Sequence, residues 1–257
     1  MNADLPNMNL VDVLHARSGL ICLVGAGGKK TTLYRLAAFH PGRVGITSTV
    51  YIQPFPKLPT AAQVIADEAA IVPTVMKAAA TQRIVAFALT SSKRGRLGGL
   101  SCSQVVQIHA AAGFDITSIK SDGARGRWIK APNVDEPQIP KGSSTVIPVV
   151  SARVIGMRLS ERIAHRIDRI TAVTGACSDE PITPEHVARL LTSEDGALKG
   201  VGAATVVPLI NMVDSAELEV AARQAAEQAL ILCKGRFQRV VLASMRRSDP
   251  VVNVIGR

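Results

Sequence analysis

Short apolar runs recur along the chain, each closed by glycine or small polar residues and followed by a segment of helical period. Residues 20–24 are apolar at every position and run into Gly25. A run of that length with no polar face is the pattern of a strand covered on both sides. Similar runs lie at 43–47, 83–89, 145–150, 205–210 and 239–243, and 115–121 alternates like a strand ending at Asp122. Between them the spacing predicts helices over 71–80, from a Ser101 cap to about Ala112, through 160–193 and over 215–232. Thr183-Pro184 reads as a capped start within the third of these. Pro54, Pro56 and Pro59 oppose helix through Lys57, and 93–99 is a basic, glycine-rich loop. Strands alternating with helices predict an α/β fold with a mostly parallel sheet and helices on both faces.

The first apolar run opens into Gly25-Ala26-Gly27-Gly28-Lys29-Lys30-Thr31-Thr32, followed by Leu33, Leu36 and Ala37 at helical spacing. Strand, glycine turn and a helix starting at Lys-Thr are the parts of a P-loop. Glycines let backbone amides approach phosphate oxygens, the helix start favours an anion, lysine neutralises charge and a hydroxyl reaches Mg²⁺. The spelling departs from G-x-x-x-x-G-K-[ST] whether Lys29 or Lys30 is taken as the phosphate lysine. A shortened loop from Gly25 fits better, with Thr31 or Thr32 supplying the hydroxyl. The fold expected is therefore P-loop NTPase-like: one domain over 1–257 with a helical insertion at about 156–200.

In such sheets ligands collect at the carboxyl ends of the strands. The glycine loop, Thr47-Ser48-Thr49, Asp122 and Asn211 all fall at such ends, so one rim is expected to gather them. Asp122 stands where P-loop proteins place a carboxylate for Mg²⁺, and a turn aspartate before Gly123 is the plainer reading. Asn211-Met212-Val213-Asp214 resembles the N-K-x-D base-recognition motif of GTPases with methionine for lysine, and equally suits a helix cap at Asp214 or Ser215. Residues 122–140 are too rich in Gly and Pro for a helix. There Arg125, Arg127 and Lys130 make a candidate clamp for an anionic substrate, or a solvated surface loop. Trp128, the one tryptophan, suits a packing anchor better than a stacking ring.

Composition narrows the choices. Hydrophobic residues make up 47% of the chain and aromatics 3%, so small aliphatic side chains must fill the core. Cys22, Cys102, Cys177 and Cys233 form no C-x-x-C pair, and the histidines show no metal-ligand spacing, which argues against a metal site built from cysteines or histidines. Cys22 and Cys233 sit in apolar surroundings and read as core residues. No run reaches the roughly 18 apolar residues of a membrane span. The N-terminus lacks the basic-then-apolar form of a signal peptide, and a cytoplasmic protein is expected. The net charge of +10 suits nucleic acid or an anionic nucleotide. Because the basic residues are dispersed and lack interleaved aromatics, nucleic acid is the lesser reading.

Taken in order, Val24-Gly-Ala-Gly-Gly-Lys29, Thr47-Ser-Thr49, Gly95-Arg-Leu-Gly-Gly-Leu-Ser101, Asp122-Gly-Ala124, Lys130-Ala-Pro132, Glu136-Pro-Gln-Ile-Pro140, His165-Arg166 and Asn211–Asp214 resemble the YqeC family. That resemblance implies a P-loop-like accessory protein in the maturation of selenium-dependent molybdenum hydroxylases. It implies ATP or GTP with Mg²⁺ as ligands. It further implies the molybdenum cofactor or a selenium donor, and an apo-hydroxylase, as partners. Gly25, Gly27, Gly28, Lys29 and Thr31 carry over as phosphate-binding residues, and Asp122 as a metal-binding or catalytic one. Three departures stand out: Lys30 after the loop lysine, Lys120 where the family has glutamate, and Met212 where it often has lysine. They leave two readings, a nucleotide-driven maturation enzyme with Asp122 and Lys29 in catalytic roles, and a non-catalytic module that delivers a nucleotide-bearing cofactor.

Overall fold

A computed structural model describes residues 9–58 and 60–257, so the readings of the N-terminal segment and of Pro59 lie outside the described residues. The first half contains α1 (Leu10–Val13), β1 (Gly19–Gly25), α2 (Lys29–Phe39), β2 (Val44–Ser48), β3 (Ala61–Ala66), α3 (Ile71–Ala79), β4 (Ile84–Leu89), α4 (Cys102–Ala112) and β5 (Ile116–Lys120). Next come β6 (Ile129–Lys130), β7 (Thr145–Ser151), β8 (Ala164–His165), α5 (Ile167–Thr174) and α6 (Pro184–Thr192). The chain closes with β9 (Thr205–Val206), β10 (Leu209–Asn211), α7 (Ala216–Leu232), β11 (Arg239–Ala243) and β12 (Val251–Gly256).

One sheet runs β12-β11-β10-β7-β1-β5-β2-β4-β3, with β9 beside β7. Every pair in it is parallel except β11 with β12, so the expected α/β class with a mostly parallel sheet is what the chain adopts. β1 lies in the middle and shows why an unbroken apolar run is needed there. Ile21 and Leu23 pack on the face covered by Leu33 and Leu36 of α2. Leu20, Cys22 and Val24 pack on the opposite face, which α3, α4, α6 and α7 cover. Cys22 and Cys233 are buried, as their neighbours suggested, and burial raises the Cys22 thiol to about 11.

Local chemistry sets the boundaries. Ser101 and Gln104 form a reciprocal capping box at α4, and Thr183 caps α6 with Pro184 at its first turn. The helical reading of 160–193 is corrected. Residues 164–165 form β8, and α5 stops at Gly175, whose φ of 79° is a left-handed cap. The strand expected over 205–210 is divided into β9 and β10, with Pro208, which has no ladder donor, between them. Two edge strands, β3 and β12, were not foreseen. Among the described residues no helix is long and apolar enough to cross a membrane.

Candidate functional site

The parallel register brings the carboxyl ends of five strands to one rim. Leu23 of β1 lies beside Lys120 of β5, which lies beside Ser48 of β2. On the other side Gly25 pairs with Val149 of β7, and Ser151 pairs with Asn211 of β10. The glycine loop, Ser48, Asp122 and Asn211 thus share the rim that their strand-end positions predicted.

The loop between β1 and α2 is short and held from outside. Gly27 has φ 88°, and a Cβ there would stand 2.5 Å from the Ser151 nitrogen. Gly28 has φ 117°, and a Cβ would stand 2.2 Å from Asn211 Nδ2. Only glycine fits either position. The amide of Gly25 donates to Asp122 Oδ2 at 2.9 Å, that of Ala26 to the Val149 carbonyl at 2.8 Å, and that of Gly27 to the Arg127 carbonyl at 3.2 Å. Those three amides are therefore spent on the scaffold. The donors left for an anion are the first-turn amides of α2, whose N-cap Gly28 brings no capping side chain.

Beneath the loop runs a chain of alternating charge. Lys29 Nζ lies 2.8 Å from Asp122 Oδ1 and also donates to the Gly25 carbonyl. Lys130 Nζ lies 2.9 Å from Asp122 Oδ2 and 2.6 Å from Glu136 Oε2, which in turn lies 2.5 Å from Arg166. Lys29, Asp122 and Lys130 are all buried. Burial alone would raise the Asp122 carboxyl, but the two ammonium groups outweigh it and hold the acid below its ordinary range. Burial also pushes Glu136 upward, and hydrogen bonds from Arg166 and Lys130 reverse this and hold it at about 2.

Above the loop opens a cleft of roughly 620 Å³, a size suited to a small-molecule ligand. Lys30, Thr31 and the glycines form one side, with Lys93 and Arg96 from the basic loop. Lys120, Arg125, Arg127, Trp128 and Met212 form the other, and Glu136 is the carboxylate that reaches it. Tyr51, at the rim, is exposed and carries the Lys93 ammonium 5.0 Å from its ring centroid. Lys120 is buried to 9% exposure and donates to the Tyr51 carbonyl at 3.0 Å. Burial, then the nearby Lys29, lowers its ammonium to about 7 against the pull of Asp122.

The residues singled out in the sequence divide between cleft and scaffold. Gly27, Gly28, Lys30, Thr31, Arg125 and Arg127 line the cleft. Lys29 touches its floor but turns its ammonium under the loop. Thr32 is buried, with its hydroxyl on the Gly28 carbonyl at 3.2 Å. Lys130 sits inside the ionic chain and not on a solvated loop. Asn211 Nδ2 donates to the Gly27 carbonyl at 2.9 Å, and Asp214 is taken by Arg153 at 2.5 Å and by Ser244 at 2.6 Å. Neither lines the cleft, whereas Met212 between them does. Thr47, Ser48 and Thr49 spend their hydroxyls on the carbonyls of Phe87, Lys120 and Gln138.

Thr31 and Asp122, expected as Mg²⁺ ligands, are not brought together. Thr31 is exposed in the cleft, while Asp122 lies below the loop with both oxygens against lysines. As a ligand pair for Mg²⁺ they do not fit. Among the described residues no group of three or more His, Cys, Asp or Glu side chains is placed to hold a metal. Lys120, Arg96 and Lys93 were missed as a group by sequence reasoning. Lys120 was visible only as a departure from the family pattern, and the other two as a basic loop distant in sequence.

The YqeC family model (described as YqeC protein) matches residues 21–168, more than half of the chain. The chain belongs to the YqeC family. It is also similar to a protein of Escherichia coli K-12 whose name is given as uncharacterized protein YqeC. The two are 29% identical over 203 residues, covering 76% of this chain and 77% of the relative. The family match contains the glycine loop, the basic 93–99 loop, Lys120, Asp122 and the 122–140 segment, and so most of the cleft.

Proposed function

We propose that this YqeC-family protein binds the phosphate groups of a nucleotide, or of a nucleotide-bearing cofactor, in the cleft above the glycine loop. The observation that carries the reading is the meeting of uncapped first-turn amides of α2 with lysines and arginines from three other segments around one cavity. Dispersed in sequence, these cations converge in space on a single small-molecule-sized volume, which favours a compact polyanion over an extended nucleic acid. The family resemblance supports a place in the maturation of selenium-dependent molybdenum hydroxylases. On that reading the ligand, ATP, GTP or a cofactor built on a nucleotide, is held for an apo-hydroxylase or for a donor of selenium or molybdenum cofactor.

Binding and delivery suit the site better than hydrolysis. Asp122, the carboxylate in position to serve phosphoryl transfer, is committed to two lysines and a loop amide, and Glu136 is committed to Lys130 and Arg166. Phosphoryl transfer relies on positioned charge and an oriented nucleophile, and neither carboxylate is free to orient one. Equilibrium binding of ATP, GTP and CTP, followed by phosphate release under the same conditions, tests the proposal. Saturable binding of one nucleotide without release is expected. Sustained release would overturn the delivery reading, and absence of saturable binding would overturn the phosphate site.

A further inference from the structure

We infer that the cleft takes its phosphate ligand as the free anion, with no divalent metal, the chain's own lysines and arginines doing the neutralising. The inference rests on the phosphate reading above and adds to it the form of the ligand.

Magnesium bound at a phosphate site is held through one or two carboxylates together with phosphate oxygens. Here Asp122 closes a chain in which Lys29, Asp122, Lys130, Glu136 and Arg166 alternate in sign, each neighbour within 2.9 Å of the next. Both carboxylates near the loop face cations of that chain. Glu136 is the only carboxylate among the described residues lining the cleft, and it faces two cations already.

The positive charge lines the cleft itself. Lys30 lies at the start of α2, Lys93 and Arg96 stand on the basic loop after β4, and Lys120, Arg125 and Arg127 come from the end of β5 and the segment after it. Two of them, Lys30 and Lys120, stand close to another cation. Burial and then Arg96 lower the Lys30 ammonium, and burial and then Lys29 lower that of Lys120. An anion relieves this repulsion, and a divalent cation beside it would add to the repulsion. Lys120 is the central member. It stands at the carboxyl end of the strand beside β1, and its Nζ is held toward the cleft by the Tyr51 carbonyl. With Lys29 turned under the loop to Asp122, Lys120 takes the place of the phosphate lysine.

Calorimetric titration of the full chain with ATP and with inorganic tripolyphosphate, in EDTA and again in excess Mg²⁺, tests this. The expected result is saturable binding in EDTA that weakens roughly tenfold, about 1.4 kcal/mol, when Mg²⁺ saturates the ligand. Lys120→Gln should lower the EDTA affinity by a similar factor, with circular dichroism confirming the fold. Binding that requires Mg²⁺ would overturn the metal-free inference and leave the phosphate site standing. Unchanged EDTA affinity in Lys120→Gln would remove Lys120 from the ligand's surroundings and overturn its role. No binding of either probe under either condition would overturn both readings.

Discussion

Lys29 Nζ and Asp122 Oδ1 stand 2.8 Å apart with both side chains buried, so the lysine of the glycine loop is tied to the carboxylate at the end of the neighbouring strand. The pair fixes the loop from below, because Asp122 also accepts from the Gly25 amide and Lys29 donates to the Gly25 carbonyl. The two side chains thus form a clamp on the loop backbone.

Removing both halves of that clamp should cost less than the sum of removing each alone. Asp122→Asn leaves Lys29 and Lys130 facing a neutral amide, and loss of one partner from a buried pair typically costs about 3–5 kcal/mol. Lys29→Met leaves Asp122 one of its two lysines and should cost less. In the double variant the loss should be smaller than the sum, by a coupling of about 0.5–3 kcal/mol. Urea midpoints of the four proteins measure it. Strict additivity would mean that the two side chains do not interact energetically.

The strands and the rim were legible in the sequence because burial on both faces leaves no polar position in β1 or β4 and none in β7 between Thr145 and Ser151, and because strand ends place polar residues where parallel register aligns them. The ionic chain was not. Lys130 reads as a loop cation, and nothing in its neighbours says that β6 carries it under the sheet beside β8. Asn211 was legible as a strand-end residue, but its bond to Gly27 spans 184 positions and has no local signal. Edge strands β3 and β12 were missed because edges need neither strong alternation nor a full apolar run. The helix expected from Ser160 failed because Arg166, at φ 68°, and Gly175, at φ 79°, break the path on both sides of α5.

Lys120 should make ligand affinity and stability depend on pH in opposite senses. Its ammonium titrates at about 7 in the folded protein, whereas an unfolded lysine titrates near 10.4. A phosphate ligand favours the charged form, so affinity should fall as pH rises through about 7, and the fall should vanish in Lys120→Gln. For folding, the unfolded chain binds the extra proton between the two values, so stability should rise with pH across that window. Thermal melts from pH 6 to pH 10 follow the second effect. A wild-type slope no steeper than that of Lys120→Gln would refute it.

Glu136 should protect the segment after β5 in acid. Its folded value of about 2 lies below the ordinary 4.5. Its contribution is therefore complete above the unfolded value and is lost as pH falls toward 2. Glu136→Gln should remove this contribution at neutral pH and leave the variant with a flatter stability profile between pH 5 and pH 2. Parallel acid-unfolding curves for the two proteins would show that the contacts with Lys130 and Arg166 contribute nothing.

The Asn211–Gly28 contact separates two costs that usually come together. Gly28→Ala meets the Asn211 amide at 2.2 Å and also forces a non-glycine residue to φ 117°. Backbone strain of that kind costs about 1–3 kcal/mol, and the clash adds to it. In an Asn211→Ala background the amide is gone, so Gly28→Ala should cost less than in the wild type but not become neutral. Asn211→Ala alone should free the Gly27 carbonyl and raise exchange of the Gly27 amide, which is bonded to the Arg127 carbonyl, weakening nucleotide binding without any contact between Asn211 and the ligand. If Gly28→Ala is equally damaging in both backgrounds, the asparagine does not shape the loop, and its place at the end of β10 serves some purpose other than buttressing the phosphate site.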